Sequence, residues 1–260
     1  MTAQPVAKGS IARAARVLDA LAAVPQGASL AQIVARTRFS KTTTFRVLAA
    51  LQDVNYVVQD PHNSTYRLGL KLAQLARSAA QTDIAALAAR GLDRLADISQ
   101  DTVFLSVPEG AASICVARRV GRFPIRTLTL DVGDRRPLGV GGGALALYCA
   151  MDARQRAALC RVNRNWLAEY GFDEATLRDE HAAFAENGHA INRGKVVPGM
   201  SAVAVPVLAR DGRPVAAIAI GAISERMDPE RIETLLLPAL RDEARRLAGH
   251  LDEIEKERPE

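Results

Sequence analysis

The chain has 260 residues and a formal net charge of +5, which is unevenly distributed: residues 1–80 hold ten Lys or Arg and three Asp or Glu (+7), and the remainder sums to −2. This length can bury a substantial core in one large or two ordinary domains, and no apolar run reaches the roughly 18 residues of a membrane span. These totals exclude a small disulfide scaffold and a transmembrane protein, and we expect a cytoplasmic protein with a cationic first third.

The first 55 residues predict three helices that share a core. Ser10 is a candidate N-cap for an apolar stripe at helical spacing, which stops at 25–27 (Pro-Gln-Gly). Ser29 is a good N-cap for a second helix, and Ser40 is a good N-cap for a third one. A short connector, residues 36–39, separates these two helices, which is typical of a helix-turn-helix.

The third helix has two faces of different chemistry. One face is apolar and can be buried, with Val47, Leu48, Leu51 and Val54. The other carries cations, a hydroxyl, a ring and a methyl, which suits a helix in the DNA major groove because cations meet phosphate or guanine there. We predict DNA contacts from this helix and its cap, at Ser40, Lys41, Thr42, Thr43, Phe45 and Arg46. Phe45 has the alternative of being an isolated surface apolar residue.

A β-hairpin follows the third helix. Residues 56–59 and 65–68 are rich in β-forming side chains, and the segment between them has turn chemistry. A helix-turn-helix followed by a hairpin is a winged helix-turn-helix, whose wing can also contact DNA. We predict such contacts from His62, Asn63, Ser64 and Arg67. Two alternatives stay open: the tip residues only form the turn, or the whole module has a basic face that is merely solvated.

The rest of the chain predicts a linker and a second domain. We place the DNA-binding domain at residues 10–70, a linker helix at 71–82 and an α+β domain at 83–255. Strands are expected at residues 101–107, 112–118, 125–130, 190–196, 202–208 and 214–223. Helices are expected at residues 144–151, 152–160, 173–187 and 228–257, with a glycine-rich loop before the first of them.

The side chains that often carry catalysis are scattered. Cys115, Cys149 and Cys160 lack the spacing of a metal site or a disulfide framework, and the four histidines are dispersed. The glycines of residues 139–143 lack the Lys-Ser/Thr of a phosphate-binding loop. We therefore expect no metal, no cofactor and no enzymatic activity.

The motifs of the first third resemble those of the IclR family of bacterial transcriptional regulators. The similarity rests on residues 40–48 (SKTTTFRVL), on 55–57 (NYV) and on 66–69 (YRLG), and it extends over nearly the whole chain. Asn55 stands where the family usually has Gly, and Asn is the next-best residue for a left-handed helix end. The resemblance implies a winged helix-turn-helix, a linker helix and a GAF-like effector-binding domain.

Carried over by position, the resemblance implies an effector pocket lined by Ile125, Leu128, Gly142, Gly143, Asn192, Met200, Ala202, Ala219 and Gly221. Relatives that bind small carboxylates often have Cys or Ser at the positions of Ala202, Ala219 and Gly221, so we expect a roomier, more apolar pocket. An aromatic or partly apolar organic acid is the expected effector, with its carboxylate at the amides of Gly141, Gly142 and Gly143. Equally, these glycines could serve only close helix–sheet packing.

Together these patterns predict a ligand-responsive transcription factor that binds double-stranded DNA. A palindromic operator requires two recognition helices, so we expect a homodimer or a tetramer. The alternatives are an enzyme acting on a small metabolite and a ligand-binding module that interacts only with proteins. The scatter of catalytic residues disfavours the first, and the charge segregation disfavours the second.

Overall fold

The N-terminal unit is a winged helix-turn-helix. The computed structural model describes residues 9–61, 63–79 and 83–256, and the chain divides into two compact units, Met1–Gln81 and Thr82–Glu260. The described part of the first unit contains α1 (Ser10–Ala22), α2 (Leu30–Thr37), α3 (Lys41–Asp53), β1 (Val57–Gln59), β2 (Tyr66–Leu68) and α4 (Leu70–Ala79). Its core joins the three helices to the hairpin through Val17, Leu21, Ala28, Ile33, Leu48, Leu51, Val57 and Tyr66.

Most of the predicted helix caps in this unit are present in the structure. Ser29 and Gln32 form a reciprocal capping box at the start of α2. Ser10 is not a cap as predicted, because α1 begins at Ser10 and its N-cap is Gly9, which offers no side chain. Val54 is not buried with the apolar face of α3; it is 50% exposed because the helix ends at Asp53 and Asn55 turns left-handed, with φ of 61°. The left-handed Asn55 agrees with the role expected for it.

The C-terminal unit is an α+β domain. Its described elements begin with α5 (Ile84–Ser99), β3 (Thr102–Glu109), β4 (Ala112–Val120), β5 (Arg135–Pro137), α6 (Gly142–Cys149), α7 (Ala153–Ala168) and α8 (Glu174–Asn187). They continue with β6 (Ala190–Arg193), β7 (Met200–Leu208), β8 (Pro214–Ile223), a 3₁₀ turn (Ser224–Arg226), α9 (Pro229–Arg231), a π-helical turn (Ile232–Leu236) and α10 (Leu237–Lys256). No helix in the described ranges is both long and apolar enough to cross a membrane.

One antiparallel sheet organises this unit, with helices on both of its faces. The strand order is β5-β4-β3-β8-β7-β6, and every neighbouring pair is antiparallel. One face packs against α5 and α10 through side chains such as Leu92, Leu105, Ile218 and Leu240. The other face packs against α6, α7 and α8. The sheet thus separates two cores, and α6 lies directly over its middle strands.

Several predicted elements differ from the structure. The helix predicted at residues 152–160 continues to Ala168, and the strand predicted at residues 190–196 ends at Arg193. Residues 125–130 are not a strand: the carbonyls of Thr129 and Leu130 accept hydrogen bonds from Arg136 and Arg118 instead of from a neighbouring strand. The strand beside β4 is β5, further along the chain. The closing helix is not one regular α-helix, since it passes through the π-helical turn before α10.

A buried carboxylate links the start of the sheet to the start of the closing helix. The Asp101 side chain is 1% exposed and accepts hydrogen bonds from Arg226 at 2.9 and 3.1 Å and from Arg231 at 2.8 Å. Both arginines also donate to the carbonyl of Ser99 at the end of α5. Arg226 lies over the Phe123 ring, 3.9 Å from its centroid. Three separate segments of the chain therefore depend on one carboxylate.

We expect Asp101→Ala to lower the free energy of unfolding by about 3 kcal/mol, because it leaves two partly buried guanidinium groups without a counter-ion. Urea unfolding of the full chain, followed by the fluorescence of its single tryptophan in α7, measures this unit directly. Asp242→Ala is the matched control: it removes an exposed ion pair with Arg245 and should cost less than about 1 kcal/mol. Equal midpoints for the two variants would contradict the role of Asp101.

Candidate functional site

The recognition helix α3 presents an exposed polar and cationic face. Lys41, Thr42, Phe45 and Arg46 are all exposed, and Phe45 is 56% exposed. Among the described residues, Lys41 and Arg46 form no ion pair with a carboxylate. Thr44, Leu48 and Leu51 on the opposite side are buried. The helix can therefore offer its outer face to a partner without disturbing its core.

Two of the predicted contact residues, Ser40 and Thr43, stabilise the N-terminus of α3. The Ser40 hydroxyl accepts a hydrogen bond from the amide of Thr43 at 3.2 Å and lies 2.8 Å from the Thr43 hydroxyl. The Thr44 hydroxyl donates to the Ser40 carbonyl at 3.1 Å. Ser40 and Thr43 thus fix the start of α3 beside Lys41; Ser40 is exposed and Thr43 is half-buried.

The wing is a short hairpin whose tip is held by its own side chains. The Asn63 carboxamide oxygen accepts hydrogen bonds from the amide and hydroxyl of Thr65, at 3.0 and 2.6 Å. Ser64 has a left-handed φ of 57°, and His62 lies outside the described residues. Arg67 lies 3.9 Å from Asp60, with half of its side chain exposed. Asn63 and Ser64 therefore form the turn, and both remain exposed at the tip.

The C-terminal unit contains a cavity of about 50 Å³ between the sheet, the first turn of α6 and the segment before β7. Eight predicted positions line it: Gly141, Gly142, Gly143, Asn192, Met200, Ala202, Ala219 and Gly221. Ile125 and Leu128 do not; their side chains are 52% and 55% exposed, because residues 125–130 form an irregular segment that turns Thr127 and Thr129 inward instead. At about 50 Å³ the cavity is small.

The cavity lining has more polar groups than its predicted positions suggested. Hydroxyls come from neighbouring elements, at Ser106, Ser113, Thr127, Thr129 and Ser201. Phe104, Leu130, Val140, Val196, Val197 and Met200 supply an apolar surface. The sequence did not predict these lining positions, because the small residues at Ala202, Ala219 and Gly221 do not indicate which side chains the adjacent strands bring to the cavity.

Glycines bring α6 against the sheet. A Cβ on Gly142 would lie 2.9 Å from the Cβ of Ala202, and one on Gly143 would lie 3.3 Å from the Ser106 hydroxyl. Gly141, the N-cap, has a φ of 85° and provides no side-chain cap. The packing role and the ligand role are compatible, because the first turn of α6 lines the cavity and its amides have no intrahelical acceptor.

Arg136 is the cation of the cavity lining, and the sequence prediction missed it. It lies in the middle of β5, and its guanidinium donates to the Thr129 carbonyl at 2.6 Å. A Cβ on Gly141 would lie 2.8 Å from Nη1 of Arg136, so the guanidinium lies beside the first turn of α6. Burial lowers the pKa of Arg136 below its ordinary value. The only sequence signal was two adjacent arginines before a proline.

The cysteines are poor candidates for a nucleophile. Burial raises the pKa of Cys115 to about 11 and that of Cys149 to about 12. The Cys160 sulfur lies 3.2 Å from the Tyr148 hydroxyl in the interior. Within the described ranges, no group of three or more His, Cys, Asp or Glu is placed to hold a metal ion.

Comparisons with known proteins match both units. Residues 10–61 match the family described as the IclR helix-turn-helix domain, and residues 76–248 match the one described as bacterial transcriptional regulator IclR, C-terminal. The chain is 29% identical over 223 residues to a probable transcriptional regulator, SauR, of Cupriavidus necator, covering 85% of this chain and 88% of that one. It is 25% identical over 266 residues to the DNA-binding transcriptional repressor YiaJ of Escherichia coli, covering 95% and 89%.

A solved structure has the same fold. An IclR homologue from Microbacterium hydrocarbonoxydans, complexed with 4-hydroxybenzoate, superposes with a TM-score of 0.71 at 20% sequence identity. The superposition covers 94% of this chain and 99% of the other.

We expect Cys115 and Cys149 to resist iodoacetamide at pH 8 in the native protein. Only the thiolate reacts, and pKa values of about 11 and 12 leave less than about one thiol in a hundred ionised at that pH. Peptide mass spectrometry after alkylation measures each cysteine separately, and the same reaction in urea is the control that should label both. Rapid native labelling of Cys115 would contradict its burial.

Proposed function

Because the chain belongs to the IclR family of bacterial transcriptional regulators and is a ligand-responsive DNA-binding regulator, we propose that its N-terminal unit binds a palindromic operator in the cytoplasm. The observation that carries this proposal is the exposed face of α3, with Lys41, Thr42, Phe45 and Arg46, in a segment with net charge +7. Such a helix fits the major groove, and the surplus cations displace counter-ions from phosphate.

The contacts divide into two kinds. Lys41 and Arg46 pair with phosphate or guanine, and Thr42 and Phe45 lie nearest the bases, where Phe45 can pack on a thymine methyl. Ser40 and Thr43 position the helix and approach the backbone. Asn63, Ser64 and Arg67 bring the wing to the flanking phosphates, and His62 belongs to the same tip by its position in the sequence.

A palindromic operator implies a homodimer or a pair of dimers. Each half-site takes one recognition helix, so two copies must present α3 about one helical turn of DNA apart. We assign residues 10–70 to DNA binding, 71–82 to a linker and 83–255 to effector binding. Residues 80–82 of the predicted linker helix lie outside the described residues, and α4 covers the rest of it. Ligand binding can change DNA affinity only if the ligand prefers one arrangement of the dimer over another.

We expect Lys41→Ala to weaken binding to all duplex sequences alike and to lower the slope of log affinity against log salt by about one. Fluorescence anisotropy of the full chain with operator and unrelated duplexes, at several salt concentrations, measures both quantities.

Arg178→Ala is the control for the Lys41 variant, since it removes an exposed cation from α8 in the other unit. An unchanged salt slope in Lys41→Ala would contradict the phosphate contact. A wild-type protein without affinity for any duplex at low salt would remove the operator proposal itself.

The effector proposed for the C-terminal unit is a partly apolar organic acid. The first-turn amides of α6, around Gly141, Gly142 and Gly143, receive its carboxylate, and Asn192, Met200, Ala202, Ala219 and Gly221 surround its body. Val197 lines the cavity and is 37% exposed, so it lies at the rim and must shift for an acid larger than the 50 Å³ cavity. The solved structure of the same fold from Microbacterium hydrocarbonoxydans is a complex with 4-hydroxybenzoate, and this supports an effector of about that size.

We expect benzoate and 4-hydroxybenzoate to raise the melting temperature of the full chain more than acetate and pyruvate do. At a hundredfold excess over the dissociation constant, the gain in stability is about 2.7 kcal/mol, which corresponds to a shift of about 5 °C or more. Differential scanning fluorimetry measures it. A response to pyruvate and acetate alone would contradict the apolar class while leaving an acid effector in place.

A further inference from the structure

We infer that Arg136 sets the ligand class of the cavity: it makes one negative charge a requirement, so that the site takes a monocarboxylate and rejects the neutral amide of the same shape. This inference rests on the proposed effector role of the cavity and adds the residue that selects the charge of the ligand. It concerns binding alone and needs no chemical step.

The first observation is the absence of a counter-ion. Most half-buried arginines elsewhere in this unit pair with a carboxylate: Arg118 with Asp131 at 3.3 Å, Arg119 with Asp93, and Arg226 and Arg231 with Asp101. Arg156, which does not line the cavity, is the exception among the described residues and donates to the Met151 carbonyl. Arg136 is buried enough to lower its pKa, yet within the described ranges it forms no ion pair. Its described hydrogen bond goes to a neutral carbonyl, that of Thr129. The Asp134 carboxylate attracts the guanidinium without contacting it, so this partly desolvated cation has no direct anionic partner. An anionic ligand can supply that partner and offset the cost of desolvation.

The second observation is where the guanidinium lies. It borders the cavity beside Gly141, close enough that a side chain there would collide with Nη1. A carboxylate in this corner can accept from the guanidinium with one oxygen and from the first-turn amides of α6 with the other. Gly141 therefore keeps the corner open, in addition to allowing the left-handed backbone of the N-cap.

The third observation concerns which charged side chains line the cavity. Its other polar side chains are the neutral Ser, Thr and Asn, and the lining among described residues includes no Asp, Glu, Lys or second Arg. One cation can pair with one carboxylate, and a second carboxylate would be desolvated among neutral groups. The inventory therefore favours a monocarboxylate over a dicarboxylate, and a hydroxyl on the ligand body can bond to the Ser and Thr groups.

The test compares each acid with its amide on the full-length protein. Acetate, benzoate and 4-hydroxybenzoate are titrated beside acetamide, benzamide and 4-hydroxybenzamide, with terephthalate as the dicarboxylate, by calorimetry and thermal shift. We expect the wild-type protein to prefer the best monocarboxylate over its amide by about 10- to 100-fold, as hydrogen bonds to a charged group require. Equal binding of acid and amide would overturn the inference, and tighter binding of terephthalate than of benzoate would overturn its monocarboxylate part.

Variants assign the preference to one residue. Arg136→Gln should reduce the preference for acid over amide to about one, and Arg136→Lys should keep it. Arg135→Gln is the matched control, because this neighbour on the same strand is exposed and pairs with Glu109 outside the cavity. Operator binding and circular dichroism check that each variant folds. A retained acid preference in Arg136→Gln overturns the inference and leaves the acid effector standing.

The experiments distinguish failure of the acid-effector proposal from failure of the role assigned to Arg136. If no monocarboxylate of the panel stabilises the wild-type protein, the acid effector and the role of Arg136 fall together. If Arg136→Gln keeps the wild-type preference for acid over amide but melts well below wild type while Arg135→Gln does not, Arg136 serves the fold through its hydrogen bond to the Thr129 carbonyl, and its role as a ligand counter-ion is overturned.

Discussion

The close approach of α6 to the sheet is the constraint on which the C-terminal unit depends. Gly142 leaves no space for even a methyl group above Ala202, so helix and sheet meet at backbone distance. The helix start is thereby held over the middle strands, and the cavity is the space that remains around its first turn. A larger residue at Gly142 or at Ala202 would push α6 away from the sheet. The packing would be lost, and the first-turn amides of α6 would no longer border the cavity.

Arginines in this chain serve two opposite purposes. In the N-terminal unit, Arg46 is exposed and available to a polyanion, whereas Arg16 is used internally, donating to the Thr37 carbonyl at 3.1 Å and lying 4.9 Å from the Phe39 ring centroid. In the C-terminal unit, Arg226 and Arg231 neutralise the buried Asp101. Net charge alone therefore overstates the number of cations available for DNA, and the exposed face of α3 is the better guide.

Local signals predicted the N-terminal unit well. Caps at Ser29 and Ser40 are local interactions that follow from the sequence, and the family matches confirm the winged helix-turn-helix and the interpretation as a regulator, not an enzyme. The end of α3 was harder, because the exposure of Val54 depends on the backbone turn at Asn55. Helix periodicity does not encode where the helix stops.

The cavity was harder to predict because its walls come from distant strands. Small residues at Ala202, Ala219 and Gly221 predicted an apolar space, but Ser106, Ser113 and Arg136 face it from β3, β4 and β5. The error at residues 125–130 has a related cause: an alternating pattern predicts a strand, yet Arg118 and Arg136 bind the carbonyls that a neighbouring strand would have used. Such long-range hydrogen bonds leave no periodic trace in the sequence.

The position of β5 has a consequence for how the sheet ends. This strand is one of the two edge strands of the sheet, is three residues long, and consists of Arg135, Arg136 and Pro137. Proline lacks an amide hydrogen and the strand is only three residues long, so this edge gives a second sheet few groups to pair with. The short strand thus limits edge-to-edge aggregation at this side of the sheet, while its central residue lines the cavity.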